Sequence, residues 1–194
     1  MALTFEVDPA FDRALRDDIT ALWVDVSNAG GAVGFVPPVT ADVVRPELVK
    51  HLAGMAEGRT HLVVGRGEDG TVAATAFLTH NTHRLMRHWI GVYTVMVHPR
   101  HQGRGFGREL MAAAADAARA IDGIGAVRLT CRGGTGADRF YASCGYKEVG
   151  RIPDAIRVAE DDYRDDVIML LPLFRQPGPA SAPEAAGHGG SPAN

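Results

Sequence analysis

A glycine-rich turn between a predicted strand and a predicted helix constrains the fold of this chain more than any other segment. Residues 91–97 form a short β-rich run, and residues 106–121 repeat apolar side chains on one helical face. Gly103, Gly105 and Gly107 alternate with other residues in the connection between them. Glycine lets backbone N–H groups approach a ligand closely, and a helix begins with unpaired N–H groups and a partial positive charge. The segment therefore predicts an anion site suited to a phosphate or a pyrophosphate.

The spacing within this turn excludes two common phosphate-binding loops. An ATPase loop ends in Gly-Lys-Ser/Thr, whereas Gly107 is followed here by Arg-Glu. A dinucleotide loop needs G-x-G-x-x-G, whereas the sixth position counted from Gly103 is Arg108. Arg104 and Arg108 can add charge and hydrogen bonds to a bound anion. The alternative is a glycine-rich turn that binds nothing.

The rest of the chain alternates predicted strands and helices, which indicates an α/β fold with a mixed sheet. Asp8 is the expected N-cap of the first helix, and Thr135 and Asp138 have the spacing of a capping box. The predicted strands are residues 3–7, 61–66, 71–78, 91–97, 126–131, 146–150 and 167–173, and the predicted helices are residues 9–26, 43–55, 106–121 and 135–144.

Composition limits the class of protein. The chain has 194 residues and a formal net charge of −3, which favours one domain and argues against general nucleic-acid binding. No apolar run is long enough for a membrane span, and the N-terminus lacks the basic start of a signal peptide, so we expect a cytoplasmic protein. Residues 1–174 are the expected domain, and residues 175–194 are Pro, Gly, Ala and Ser with little to bury, which predicts a disordered tail.

Two motifs at the expected separation resemble the GNAT superfamily of N-acetyltransferases. The first is strand-V-x-P-x-x-Q/R-x-x-G-x-G/A-helix, and the second is L-Y-x-x-x-G-F/Y, with Phe140 here in place of the Leu. The matching residues are Val97, Pro99, Gln102, Gly105 and Gly107 in the first motif, and Phe140, Tyr141, Gly145 and Tyr146 in the second. The resemblance covers about residues 3–173. It implies a GNAT fold, with a mixed but mostly antiparallel central sheet flanked by helices.

The resemblance also implies where acetyl-CoA binds. The coenzyme would lie between two splayed parallel strands, at residues 92–97 and 126–131. Val95, Met96 and Val97 would contact the pantetheine arm and the thioester carbonyl through their backbone. The residues that would hold the pyrophosphate are Gly103, Arg104, Gly105, Phe106, Gly107 and Arg108. Tyr141 occupies the family's frequent general-acid position, where it would protonate the departing thiolate. The alternative for Tyr141 is a core aromatic residue.

Two departures from the family pattern concern the site. Gly134 stands where many members carry an Asn that contacts the pantetheine arm. The strand before the glycine loop has no acidic residue, although many members use a Glu there as general base. The base therefore remains open among Tyr93, Thr94, His88 and a water chain.

Other residues that could carry chemistry have simpler interpretations. Two His-x-x-His pairs lack a cysteine or an acid nearby, so we expect no metal site. Cys131 and Cys144 are expected to be buried structural cysteines. The acidic run at residues 159–166 is predicted to be a solvated loop, or alternatively an acidic rim that attracts a cationic amine. The loop at residues 28–35 is similar to one that lines the acceptor pocket in tabtoxin-resistance acetyltransferases.

The function implied by the resemblance is transfer of acetyl from acetyl-CoA to a primary amine of a small molecule. Two alternatives stay open: a protein N-acetyltransferase, and a catalytically silent acyl-CoA-binding sensor. Since GNAT enzymes are frequently homodimers, the expected partners are acetyl-CoA, a small amine and a second copy of the chain, with no nucleic acid and no membrane.

Overall fold

A computed structural model describes residues 2–173 of the chain as one α/β unit. The strands are β1 (Thr4–Val7), β2 (Thr60–Arg66), β3 (Val72–His80), β4 (Trp89–Val97), β5 (Ala126–Arg132), β6 (Lys147–Ala159) and β7 (Asp162–Pro172). The helices are α1 (Arg13–Asn28), α2 (Ala41–Ala56), α3 (Phe106–Arg119) and α4 (Ala137–Ser143). The predicted α/β class is confirmed. The predicted tail at residues 175–194 and the domain boundary at residue 174 lie outside the described residues.

The strands form one mixed sheet in the order β1-β2-β3-β4-β5-β7-β6. Every neighbouring pair is antiparallel except β4 and β5, which run parallel. That parallel pairing joins Trp89, Ile90 and Gly91 to Ala126, Val127 and Arg128 and goes no further. After Gly91 the two strands part, so beyond that point one edge of β4 pairs with no strand of residues 2–173. The predicted splayed parallel pair is therefore present.

Helices cover both faces of the sheet. Successive side chains of a strand point to opposite faces, and in β2 Val63 packs in one buried cluster while Leu62 and Val64 pack in the other. The α3 residues Leu110 and Met111 belong to the first cluster, and the α1 and α2 residues belong to the second. Among the described residues no helix is both long and apolar enough to cross a bilayer.

The start of α1 differs from the sequence prediction. Asp12, not Asp8, is the N-cap, and its Oδ1 accepts from the backbone N–H of Leu15 at 2.8 Å. The Asp8 carboxylate instead accepts from the backbone N–H of Leu62 at 2.8 Å and lies 2.6 Å from Nδ1 of His61. A tertiary hydrogen bond to β2 therefore uses the side chain that the local sequence favoured as a cap.

We expect Asp12→Ala to lower the free energy of unfolding by about 1 kcal/mol, because an orphan N–H of the first turn loses its acceptor. Chemical denaturation measures the difference. Asp18→Ala on the exposed face of the same helix is the matched control, since Asp18 makes no ion pair with a described residue. Equal losses in the two variants would contradict the cap.

The last two strands are much longer than predicted. Residues 162–166, expected in a loop, are the first part of β7, and the turn of the hairpin lies at Glu160 and Asp161. The capping box is also wrong, because Gly136, and not Thr135, is the N-cap of α4 and it has no side chain. Oγ1 of Thr135 accepts from the backbone N–H of Ala137 at 3.3 Å and donates its hydroxyl to the carbonyl of Arg132 at 2.8 Å.

Candidate active site

A cleft of about 660 Å³ opens where β4 parts from β5. It is bounded by the end of β4, the glycine loop, the start of α3 and the α4 helix. Seven of the residues predicted for the site line it: Val95, Val97, Gly103, Gly105, Gly107, Arg108 and Tyr141. Its lining combines the three loop glycines with the side chain of Arg108, which are groups that can bind an anion.

The glycine loop presents a run of unpaired backbone donors to this cleft. The amides of the five residues from Gly103 to Gly107 donate to no atom of residues 2–173, whereas the next two, Arg108 and Glu109, both donate to the carbonyl of Gly105. Gly103 and Gly105 have φ angles of 75° and 91°, in the left-handed region that other residues rarely adopt. Unpaired backbone N–H groups at the start of a helix suit an anion such as a pyrophosphate.

Gly107 has a different role, which is close packing of α3 on α4. A Cβ at Gly107 would lie 3.1 Å from Cζ of Phe140, so a larger residue would push the two helices apart. The absence of a side chain therefore brings α4 against the loop, and Tyr141 follows Phe140 directly into the cleft.

Three predicted residues do not line the cleft with their side chains. Met96 and Phe106 are buried in the two core clusters, so only their backbone is available to a ligand. Arg104 is exposed and lies outside the cleft lining. Of the two arginines predicted to bind the anion, Arg104 and Arg108, only Arg108 lines the cleft.

A second cavity, of about 620 Å³, is lined by residues of both splayed strands, β4 and β5. We call it the acceptor cavity, after the role that is proposed for it below. Its other walls come from α1, α2, α4, the β6–β7 hairpin and the loop between α1 and α2. Residues 32–36 of that loop line it. The resemblance predicts that residues 28–35 line the acceptor pocket, and this remains a prediction.

Side-chain hydrogen bonds hold this loop over the cavity. The indole N–H of Trp23 donates to the carbonyl of Val33 at 2.8 Å. The Asn28 side chain bonds both backbone groups of Val39, at 2.8 and 2.9 Å. Because these donors and acceptors fix both ends of the loop, the cavity is walled by ordered backbone.

The cleft and the acceptor cavity meet at four residues: Ala32, Val33, Val95 and Tyr141. Burial, followed by the nearby thiols of Cys131 and Cys144, raises the pKa of Tyr141 far above its ordinary value, so the phenol stays protonated. Its hydroxyl bonds to no described residue. A protonated donor therefore stands at the junction of the two spaces.

The candidates for the general base differ in whether they line the acceptor cavity. Tyr93 and Thr94 line the acceptor cavity, whereas His88 lies outside its lining and accepts from the indole N–H of Trp89. The structure adds His51, which the sequence analysis missed. Its Nε2 lies 3.2 Å from Oγ1 of Thr94, across 43 residues of sequence. Nothing in the sequence pointed to His51, because a single His on a helix belongs to no recognisable motif.

Cys131 lines the acceptor cavity but is poorly suited as a nucleophile. Burial, with help from Asp138 and Asp166, raises the pKa of its thiol to about 11, so the thiol stays protonated at neutral pH. Since the thiolate is the reactive form, direct attack by an acceptor fits this site better than a covalent cysteine intermediate.

The acidic run contributes one carboxylate to the acceptor cavity, that of Asp166. Asp162 pairs with Arg164, and Asp165 pairs with Arg151 at 2.9 Å, so arginine neutralises both. Gly134 adopts φ +76°, where a side chain would be strained whatever its contacts.

The paired histidines make other contacts. His98 Nε2 lies 3.2 Å from the carboxylate of Asp25, and the ring of His80 packs on that of His61 with 5.5 Å between centroids. Within residues 2–173 no three His, Cys, Asp or Glu side chains are grouped as metal ligands would be.

Comparison with known proteins gives a consistent result for the family and the fold. The sequence profile of the Acetyltransferase (GNAT) family matches residues 39–146. A search of the curated proteins found no match.

Solved structures resemble the chain over most of its length. A protein described as a candidate phosphinothricin N-acetyltransferase has a TM-score of 0.73 at 19% identity, covering 90% of this chain and 100% of its own. The yncA protein from Salmonella typhimurium, solved with acetyl-CoA, has a TM-score of 0.72 at 23% identity, covering 94% and 100%. A ribosomal-protein-alanine N-acetyltransferase from Brucella melitensis has a TM-score of 0.70 at 19% identity, covering 88% and 99%. The TM-scores show a shared fold, and at these identities the likeness extends to the fold alone.

Proposed function

The chain belongs to the GNAT acetyltransferase family, and we propose that it transfers the acetyl group of acetyl-CoA to the primary amine of a small molecule. The observation on which the proposal rests is that the cleft and the acceptor cavity share Val95 and Tyr141 in their linings. One space suits a long anionic ligand, and the other suits a compact acceptor. A thioester at their junction would be reachable by an amine from the opposite side.

The cleft supplies what a coenzyme A thioester needs. The unpaired amides from Gly103 to Gly107 and the guanidinium of Arg108 would bind the pyrophosphate. The free edge of β4 offers the backbone of Val95, Met96 and Val97 to the pantetheine arm. A backbone N–H from this edge would stabilise the oxyanion that develops on the thioester carbonyl.

Tyr141 would act as the general acid. The neutral amine attacks the carbonyl carbon, a C–N bond forms, and the carbonyl oxygen becomes negative. When that adduct collapses, the C–S bond breaks and the phenol of Tyr141 gives its proton to the sulfur. A phenol whose pKa is raised by burial is protonated when this step occurs, which is the form a proton donor requires.

The acceptor cavity favours a small molecule. Its volume of about 620 Å³ is in the range typical of small-ligand pockets, and the loop at residues 32–36 closes one side. Arg132 reinforces that wall by donating to the carbonyl of Phe35 at 3.5 Å. The homodimer and the cytoplasmic location expected from the sequence belong to this proposal, and light scattering of the purified protein tests the dimer.

Free thiol released from acetyl-CoA tests the function. We expect one or more small primary amines to accelerate thiol release by purified protein, with a mass increase of one acetyl group on the amine. Acetylation of peptides but of no small amine would favour a protein acetyltransferase. Tight binding of acetyl-CoA without thiol release for any acceptor would favour the silent sensor, and failure to bind acetyl-CoA would contradict the cofactor assignment.

A further inference from the structure

The imidazole of His51 is held in a fixed orientation inside the acceptor cavity. Its ring stacks on Phe77 of β3 with 4.1 Å between centroids and an angle of 11° between planes. The indole of Trp23 on α1 packs against it at 5.9 Å. With aromatic rings on two sides, Nε2 is directed at the hydroxyl of Thr94, 3.2 Å away.

Thr94 sits at an irregular point of β4. The pairing with β3 shifts register there, because Thr75 pairs with Met96 while Phe77 pairs with Tyr93. Two residues of β4, Thr94 and Val95, thus lie opposite one residue of β3, which is a β-bulge. Thr94 has φ 51°, an unfavourable conformation for a β-branched residue. Such strain is concentrated at functional sites, and Thr94 directly precedes Val95, where the two spaces meet.

The surroundings keep the His51 ring neutral. Burial lowers its pKa to about 4; Glu47 on the same helix opposes this shift, and Lys50 adds to it. The neighbouring elements pack against the ring with the uncharged side chains of Trp23, Phe77 and Thr94. The other charged or titratable groups around the cavity are Tyr93, Cys131, Arg132, Tyr141, Arg157 and Asp166. Above pH 4 the ring therefore retains a lone pair that can accept a proton.

We propose that His51 is a positioning residue that accepts, through the hydroxyl of Thr94, the proton that the acceptor amine loses. This inference rests on the proposed acetyl transfer. His51 would take the role of general base, for which β4 has no acidic residue. Glu47, the carboxylate on the same helix, is paired with Lys50 at 2.7 Å.

The proton balance is simple. When the amine has attacked the thioester carbon, its nitrogen carries a positive charge next to the new oxyanion, and its N–H is far more acidic than that of a free ammonium ion. That proton passes to Oγ1 of Thr94 as the Thr94 hydroxyl proton passes to Nε2 of His51. Tyr141 protonates the departing sulfur and then regains a proton from solvent, and the imidazolium releases its proton to solvent, so both side chains return to their starting forms. No oxidant, metal or further reactant is needed.

The test compares His51→Phe, Thr94→Val and the double variant, using the amine that the wild-type protein acetylates fastest. Phe keeps the stacking on Phe77, and Val keeps the β-branch. We expect each single variant to lower kcat about tenfold or more while KM for acetyl-CoA stays within about twofold. The double variant should be no slower than the slower single variant, because the two groups act as one unit. Thr94→Ser keeps the hydroxyl and should retain most of the rate.

A pH profile distinguishes this role from a structural one. Wild-type kcat should be flat between pH 5 and pH 9, whereas kcat of His51→Phe should rise with pH as solvent takes over the proton. His80→Phe, the same substitution at a partly buried ring outside both spaces, is the matched control and should leave kcat and its profile unchanged.

Three results would overturn the inference. One is a His51→Phe variant with wild-type kcat and profile, and another is a loss in the double variant equal to the product of the single losses. The third is an equal loss in the His80→Phe control. Absence of turnover by the wild-type protein with every amine would overturn the proposed function and the inference together, so the two failures are distinguishable.

Discussion

Replacing Tyr141 by Phe is expected to lower kcat about 10²–10³-fold while KM for acetyl-CoA changes little, because the proton donor is lost but the ring that lines the cleft remains. Thiol release under saturating acetyl-CoA and amine measures the change. The raised pKa of Tyr141 adds an expectation for the wild-type protein. Since the acid form persists to high pH, no alkaline loss of kcat from this group should occur below about pH 10.

Tyr146→Phe is the matched control for this prediction. Tyr146 packs against Tyr141 with 5.9 Å between ring centroids, yet it lines neither the cleft nor the acceptor cavity. Its buried hydroxyl has no hydrogen-bond partner among the described residues. Removing it should leave kcat unchanged and raise the free energy of unfolding by about 1 kcal/mol. Equal rates for Tyr141→Phe and wild type would exclude Tyr141 as the acid.

The second large effect is expected at the glycine loop. Gly105→Ala forces a residue with a Cβ into φ 91°, so the loop must shift and its unpaired amides change position. We expect KM for acetyl-CoA to rise about tenfold or more, which corresponds to about 1.4 kcal/mol of binding free energy. At saturating acetyl-CoA, kcat should stay near the wild-type value, because Tyr141 is untouched.

Gly123→Ala is the control that distinguishes a loss of acetyl-CoA binding from the effect of backbone strain. Gly123 also has positive φ, 81°, and, like Gly105, has open space around the position of a Cβ, but it precedes β5 and lies outside both spaces. The two variants should lose similar free energy of unfolding. A similar rise in KM for Gly123→Ala, or an unchanged KM for Gly105→Ala, would contradict a role of the loop amides in binding.

Contiguous patterns gave the most reliable predictions. The hairpin of β2 and β3, the α2 and α3 helices and the parting of β4 from β5 follow from runs of residues or from the family motifs. The last hairpin was underestimated because β6 is largely exposed and most of β7 is only half-buried. Both strands continue past their apolar residues into polar sequence, which gives no strand pattern. Only cross-strand pairing therefore shows their full length.

The capping errors have one physical reason. Asp8 has the side chain and the position of an N-cap, but its carboxylate is closer to a backbone N–H of β2 once the sheet has formed. Thr135 likewise bonds the preceding strand. A polar side chain takes the strongest hydrogen bond within reach, and the tertiary fold decides which donors are in reach.

By itself the sequence predicted the cleft side of the candidate site. The unpaired amides from Gly103 to Gly107 depend on glycine positions and on where α3 begins, and both are properties of neighbouring residues. Only the tertiary structure showed the acceptor cavity. Arg132 meets Phe35 across 97 residues, and His51 meets Thr94 across 43. The bulge at Thr94 breaks the alternation that predicts which face a side chain takes. Adjacent residues set local backbone preferences, whereas contacts between distant side chains depend on packing and register.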